Sequence, residues 1–357
     1  MRVRIAYTDH LVDLVARVEA AAARLLGADP ALLASVVAVS RRDAARLSAR
    51  LDGSPLTDET ADAVDAGAVP NPLARRESPS TDQAGWAQVL RLAGMPTQDV
   101  AAVEYQNLLA CFDAEPAIAS GFFERPLESL RWLHGLICSG LVDPNIIGQP
   151  RQAAQAVHDG AQGRVIYRAV EPAVVPGLLD ELASWLGGGH SAMLPTLVVA
   201  GIVQERLLEW QPFEAANGRL ARAASRVVLR ARGLDPHGSC VPERELSADP
   251  LGYYGEVAAT IRRRGDLGPW LERYGEAVLA AVERVAGAVD PRPRPEPHAR
   301  ALAVAGGLEP GETVTIAEYA ARVRTSHDTA RADLRTLAQA GVLAVDPLTH
   351  GLRYRRR

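Results

Sequence analysis

Not one of the 39 basic residues in this 357-residue chain is a lysine; every one is arginine. That absence excludes Schiff-base chemistry and any catalytic lysine amine. A coding bias toward GC-rich triplets explains the skew without invoking function. Cysteine is scarce as well. Cys111, Cys138 and Cys240 stand far apart and are odd in number, which excludes a disulfide framework and suits a reducing cytoplasm. Aromatic residues make up only 5% of the chain. No apolar run approaches the length of a membrane span, and Met1-Arg2-Val3-Arg4-Ile5-Ala6 is followed by no apolar core or small-residue cleavage site. The expectation is a cytoplasmic protein with no signal peptide and no membrane contact. The 39 basic residues nearly balance 43 acidic ones, for a net charge of −4, so no global attraction to nucleic acid is implied.

What the chain has is helix-forming material. With 48% hydrophobic and 23% charged residues it is ordinary globular material, and Ala, Leu, Arg and Glu are all good helix formers. The length fits two or three domains. Apolar spacing predicts helices over 11–27, 30–51, a short one after Thr57, then 83–115 and 125–140. The segment 68–82, with Pro70, Pro72 and Pro79, reads as a surface loop. Between 148 and 172, glycines bracket the β-favouring Val165-Ile166-Tyr167, which predicts a small β-hairpin flap inserted among helices. Helices return at 176–187, 191–210, 217–232, 250–262 and 268–288. The fold class is therefore mostly α. Residues 289–297 alternate proline and charge, an extended linker and domain boundary. We divide the chain into an N-terminal helical segment (1–85), a helical core (86–288), this linker and a C-terminal domain (298–357).

The C-terminal domain reads as helix, short strand (Val314-Thr315-Ile316), two helices, then two strands, the order of a winged helix-turn-helix. Thr325 or Ser326 caps the second of those helices, which runs to Ala340 with Gly341 just beyond. Nine arginines against six acids give 298–357 a charge of about +3, enough for a phosphate footprint. Arg331, Arg335, Arg353, Arg355, Arg356 and Arg357 are the candidate DNA contacts. Protein binding through the same domain stays open, because this fold alone does not prove DNA recognition.

The most informative stretch is Gln211-Pro212-Phe213-Glu214-Ala215-Ala216-Asn217-Gly218-Arg219-Leu220-Ala221-Arg222, a tight loop running into a helix that ends at Gly233. A helix start offers unpartnered N–H groups and partial positive charge. With Asn217-Gly218 and two arginines a turn apart, it is an anion site suited to phosphate. Arg219, Arg222, Arg226 and Arg230 share one helix face, for which carboxylates or bound phosphate are the candidate partners. We expect the anion role at Arg219 and Arg222, and a salt-bridged or solvated stripe at Arg226 and Arg230.

This run resembles the signature of the Fic (Fido) family of AMP transferases, His-Pro-Phe-x-Asp/Glu-Gly-Asn-Gly/Lys-Arg-x-x-Arg. Pro212, Phe213, Asn217, Gly218, Arg219 and Arg222 match in type and spacing. The resemblance implies a Fic-like helical core over roughly 35–285, a flap at 148–172, and ATP or another nucleotide bound at Asn217, Gly218, Arg219 and Arg222. It places Gln211 where the family has its catalytic base, and Ala215 where it has its metal-binding carboxylate. Glutamine cannot accept a proton near neutrality, and general-base catalysis is worth about 10²–10⁴-fold. The loss at Ala215 removes the anchor for Mg²⁺, with Glu214 one place early, and we assign no metal ligands. His134 reads as a packing histidine; paired with Cys138 it is at most half a metal site. Ser48-Ala49-Arg50-Leu51-Asp52-Gly53 is similar to an inhibitory motif, Ser/Thr-x-x-x-Glu-Gly/Asn, of one Fic class. By carry-over Asp52 would pair with Arg222; a plain helix-stop turn at Asp52-Gly53 stays equally open. The expected function is a nucleotide- or phosphate-binding pseudoenzyme or regulator. Its rivals are an active nucleotidyl- or phosphotransferase of altered mechanism, and a DNA-binding regulator or structural partner-binding module, either of which is compatible with a homodimer.

Overall fold

Three side chains that accept hydrogen bonds from free helix-start N–H groups mark where the first helices begin. Thr8 caps α1 (Asp9–Ala23), Asp29 caps α2 (Pro30–Leu51) with Pro30 at its first position, and Thr57 caps α3 (Asp58–Asp65). The structure, a computed structural model, describes residues 1, 3–68, 97–159, 163–263, 265–289, 297–346 and 353–356. It divides into two compact units, Met1–Val289 and Asp290–Arg357. The boundary drawn at 85/86 lies outside the described residues, as do most of the linker and of the 68–82 loop.

In the first unit follow α4 (Thr97–Ala119), α5 (Pro126–Cys138), β1 (Ala156–His158), β2 (Val165–Arg168), α6 (Val175–Leu186) and the single turn α7 (Gly189–Ala192). Then come α8 (Thr196–Trp210), α9 (Asn217–Ala231), the short α10 (Glu243–Leu246), α11 (Pro250–Arg262) and α12 (Gly268–Val289). The helix expected over 83–115 is described from Thr97 and continues to Ala119, past Pro116. Pro116 lies in its last turns, where few helical bonds remain to be broken. The helix expected over 191–210 is interrupted before Thr196, because Pro195 disfavours helical backbone at the residue preceding it. β1 and β2 pair antiparallel with an irregularity at Val157/His158, a two-stranded flap.

α8 and α9 form the centre of this unit. Thirteen residues of each are buried, because both are apolar or internally paired on almost every face. α9 packs on α8, α4, α5 and α2, and α12 packs on α1 and α8. The α8–α12 approach is close enough to require glycine at one point. A Cβ on Gly201 would stand 2.6 Å from Leu271 Cδ2 and 2.9 Å from Tyr274 Cδ1.

The second unit runs α13 (Ala299–Gly306), β3 (Thr313–Thr315), α14 (Ile316–Val323), α15 (His327–Gln339), β4 (Leu343–Asp346) and β5 (Arg353–Arg356). The sheet is antiparallel with β5 between β3 and β4. Ile316, expected at the end of a strand, instead opens α14. Thr315 and Glu318 form a reciprocal capping box that ends the strand one residue earlier. Ser326 caps α15, and Ala330, Leu334 and Leu337 turn into a core shared with Val314, Tyr319, Leu343 and Tyr354. No helix among the described residues is long and apolar enough to cross a membrane.

Candidate functional site

The loop from Gln211 to Asn217 is held by hydrogen bonds from every side. Gln211 ends α8 in left-handed backbone (φ 46°), and Ala216 precedes α9 in the same region (φ 61°). Such angles are uncommon for residues with a Cβ, so the surroundings must impose them. Asn217 turns back, accepting from Phe213 N–H at 2.9 Å and donating to Phe213 O at 2.8 Å. Gln155, just before the flap, donates to the Phe213 and Glu214 carbonyls. Arg151 is buried and donates to Gln211 O at 2.7 Å, Ala153 O at 2.7 Å, Trp210 O at 3.2 Å and Val170 O. It supplies positive charge at the carbonyl end of α8, where the helix dipole favours it.

His134 braces the loop from below. Its Nδ1 accepts from Gly148 N–H at 2.9 Å, which assigns the proton to Nε2, 3.2 Å from Ala215 O. Its ring stacks on Phe213 with centroids 4.3 Å apart. Burial, then the nearby Arg219 charge, lowers its pKa to about 4 against the pull of the Ala215 carbonyl. His134 packs, as its sequence context suggests, and neither nitrogen is free for proton transfer.

The start of α9 forms the cradle, and a carboxylate of the same chain sits in it. Asp52, at the C-terminal end of α2, accepts from the Arg219 backbone N–H at 3.1 Å and from Arg222 Nη2 at 2.7 Å. Tyr254 Oη donates to the same carboxylate at 2.7 Å. Arg222 also donates from Nε to Ser48 Oγ and from Nη2 to Ser48 O, both at 2.8 Å. A Cβ added to Gly218 would collide with Asp52. Glycine is therefore what lets the carboxylate approach the helix start. Gly53, just past Asp52, takes φ +84° and ends α2. Asp52-Gly53 is thus both the helix stop and the segment that meets the motif.

Burial would raise the Asp52 carboxyl, but the Arg222 and Arg219 charges and the hydrogen bonds from Tyr254 and Arg222 hold it below the ordinary carboxylate value. Arg219 meets a second acid, Glu104, which is fully buried on α4. Two guanidiniums thus face two carboxylates. Arg219 Nε lies 3.5 Å from Asp52 Oδ2 as well, and among the described residues Arg222 Nη1 is a buried donor without a hydrogen-bond partner. Farther along α9, Arg226 pairs with Glu115 and Glu243, and Arg230 donates to Pro236 O. Arg226 lies in the salt-bridged stripe expected of it, and Arg230 engages a carbonyl instead of an acid.

Gln211 and Ala215, the two positions where the sequence departs from the motif it resembles, are both engaged within the chain. The Gln211 amide donates to Leu208 O at 2.7 Å and lies 3.4 Å from Tyr167 Oη. Burial raises Tyr167 well above the ordinary tyrosine value, so it is no base at neutral pH. Ala215 packs on an apolar cluster of Val100, Val103, Cys138, Leu141 and Val142. The Ala215 side chain offers no oxygen to a metal such as Mg²⁺, which prefers oxygen ligands, and the Glu104 carboxylate on the neighbouring helix is paired with Arg219. Among the described residues no group of three or more His, Cys, Asp or Glu could hold a metal ion.

A Fic family protein from Desulfovibrio desulfuricans G20 superposes on 100% of this chain and 98% of its own, with TM-score 0.61 and 20% identity. The fold is that of the Fic proteins. Fic-1 (residues 134–508) from C. elegans matches over 78% of this chain and 72% of its own, with TM-score 0.53 and 16% identity. A Fic domain-containing signaling protein from Bacteroides thetaiotaomicron VPI-5482 covers 79% of this chain and 97% of its own, with TM-score 0.52 and 18% identity. No protein-family model and no curated protein matches the sequence.

Within this Fic fold, tertiary structure unites Ser48, Asp52 and Gly53 with Gly218, Arg219 and Arg222, residues about 170 positions apart. Gln211 and Asn217 lie in the adjoining loop. Sequence reasoning missed Glu104, Tyr254 and Arg151. Glu104 and Glu115 are two of the four acids of α4 and stand eleven residues, or three turns, apart on one face. That spacing was the available signal for partners on one neighbouring helix. Nothing marked Arg151 or Tyr254.

The C-terminal arginines do not form one group. Arg331, 3.6 Å from Asp328, and Arg335 lie on exposed positions of α15. Arg353 and Arg355 alternate with buried Tyr354 along β5, so they occupy the outer face of the sheet, away from the helices. Arg356 donates to Val342 O, and Arg357 lies outside the described residues.

Proposed function

We propose that this chain is a Fic-fold regulator that binds a nucleotide or other phosphate ligand at Gly218, Arg219 and Arg222 without ordinary AMP transfer, and that Asp52 holds the site closed. The observation that carries this reading is an anion already seated at the start of α9. Its hydrogen bonds to the Arg219 N–H and Arg222 are those a phosphate oxygen would make. Among the described residues Arg222 Nη1 has no hydrogen-bond partner, and Arg219 Nε has only the Asp52 carboxylate at 3.5 Å, which leaves capacity for a further acceptor oxygen. An active transferase of altered mechanism finds no support in Gln211, whose amide is bonded to a helix end.

Calorimetry with ATP, ADP and pyrophosphate tests the reading on wild type, Asp52→Asn and Asp52→Asn/Arg222→Ala. Asp52→Asn keeps the shape and removes the competing charge, so it should bind at least tenfold more tightly than wild type. Adding Arg222→Ala should remove at least that gain, since a charge-assisted hydrogen bond is worth roughly 1.5–3 kcal/mol. Equal and negligible heats in all three proteins would retire the phosphate site. We read the second unit as a winged helix with α15 as its recognition helix, on its element order and exposed Arg331 and Arg335. DNA is the partner those features favour.

A further inference from the structure

On the α2–α12 side of the first unit a cavity of about 310 Å³ lies between α2, the segment 239–244 and α12. Val36, Val39, Val241, Ala281, Val285 and Ala288 are half of the twelve residues that line it. Its polar groups are already engaged with one another. Arg244 pairs with Asp43, and Arg284 with Glu245. Ser40 Oγ donates to Ser239 O at 2.6 Å. The Asp235 carboxylate, accepting from Ser239 N, Ser239 Oγ and Cys240 N, fixes that loop. A charged ligand would have to break these pairs, whereas an uncharged apolar one need only displace water. The volume is at the small end of the roughly 300–1,000 Å³ of ligand pockets, which sets the occupant's size. Val39, 57% exposed, gives the cavity an apolar mouth.

The cavity shares α2 with the cradle. Val39 and Ser40 form part of its wall, and Ser48 and Asp52 come two and three turns farther along the same helix. We propose that this cavity binds a compact, uncharged apolar molecule, and that its occupancy holds α2 in place and with it Asp52 in the cradle. The walls come from three segments, so a molecule between them contacts α2, α12 and the 239–244 segment at once. It binds the arrangement in which α2 lies against the other two, and by linkage stabilises that arrangement over one in which Asp52 has left Arg222. An apolar ligand and a phosphate ligand are then antagonists. The coupling rests on the reading of Asp52 given under the proposed function; the binding does not.

The neutral probe N-phenyl-1-naphthylamine, whose fluorescence rises in apolar surroundings, tests the site on the full chain. Titration should give saturable, one-site enhancement. Ala288→Trp, at an exposed position lining the cavity, should weaken it at least tenfold. Val39→Asp, also exposed, should do the same by placing charge in the apolar mouth. Hydrogen exchange read by mass spectrometry tests the coupling without any phosphate ligand. The probe should slow amide exchange over residues 48–53 in wild type but not in Ala288→Trp. Enhancement that never saturates, or that survives both substitutions unchanged, overturns the site. Saturable binding with unchanged exchange over 48–53 overturns the coupling. A dimer in sedimentation that Ala288→Trp dissolves would overturn the proposal in favour of a second copy as occupant. Failure of pyrophosphate to bind Asp52→Asn would sink the proposed function alone, leaving the exchange result to stand.

Discussion

The Gln211 amide at the end of α8 donates to Leu208 O, and placing a histidine there should by itself confer little transfer activity. We predict that Gln211→His transfers no detectable labelled AMP from ATP. Asp52 still occupies the cradle, and the Ala215 side chain still offers no ligand to a metal. Strong labelling by this single variant would mean that another group supplies the missing chemistry. His134 carries a second prediction, on pH. Its native pKa is lowered to about 4 from 6.5. Between those values the unfolded chain binds a proton that the native one refuses, so its contribution is present above pH 6.5 and is lost as pH falls toward 4. Burial raises Glu115 to about 7 and raises Glu205 as well. These push stability the opposite way, down as pH rises from the ordinary carboxylate value. The difference between wild type and His134→Gln isolates the histidine. Urea unfolding should show wild type losing roughly 3 kcal/mol more than the variant between pH 6.5 and 4. Parallel pH profiles would contradict the neutral, buried ring.

Among elements, the loop between α8 and α9 depends on a residue outside both. Arg151 satisfies the carbonyls of Trp210 and Gln211 at the end of α8, and those of Ala153 and Val170 on the two sides of the flap. Replacing it with methionine keeps much of the volume and leaves four acceptors without their donor. Unsatisfied buried groups cost roughly 1–3 kcal/mol each, and water reaches some of them, so Arg151→Met should destabilise by about 3 kcal/mol or more. Arg151→Lys, with one compact ammonium, should recover only part of that. Chemical denaturation gives both values, and a loss under 1 kcal/mol for Arg151→Met would show that the loop holds its shape without this clamp. Arg226, between Glu115 and Glu243, ties α9 to α4 and α10 in a similar way.

For the whole molecule, the prediction concerns the second unit and its arginines. If α15 meets DNA, fluorescence anisotropy of the full chain with a labelled duplex should show affinity falling steeply with salt. Arg335→Ala should flatten the log–log slope by about 0.9, the value for one phosphate contact. Arg355→Ala, on the outer face of the sheet, should leave the slope unchanged. Salt-insensitive weak binding by all three proteins would assign the unit to protein contacts. The sequence could place nine arginines in sixty residues, but not the face that each side chain takes. Strand alternation about Tyr354 separates them.

Much was settled by the sequence alone. The helices, the flap and the element order of the second unit follow from apolar periodicity, caps and β-branched runs, which are local and need no partner. The motif from Gln211 to Arg222 was legible too, because it consists of residue identities at fixed spacing. Ser48, Asp52 and Gly53 could be singled out, but two readings of them stood level. Only the tertiary structure put the Asp52 carboxylate 2.7 Å from Arg222 and set Tyr254 and Glu104 around the same arginines. A buried ion pair is fixed by which helix faces meet in space, and one chain's local pattern carries no record of the helix that will lie across it. The burial of Arg219 and Arg222 could be anticipated from the apolar wheel of α9. Whether phosphate or carboxylate answered their charge was decided by the packing of α2 and α4 against it.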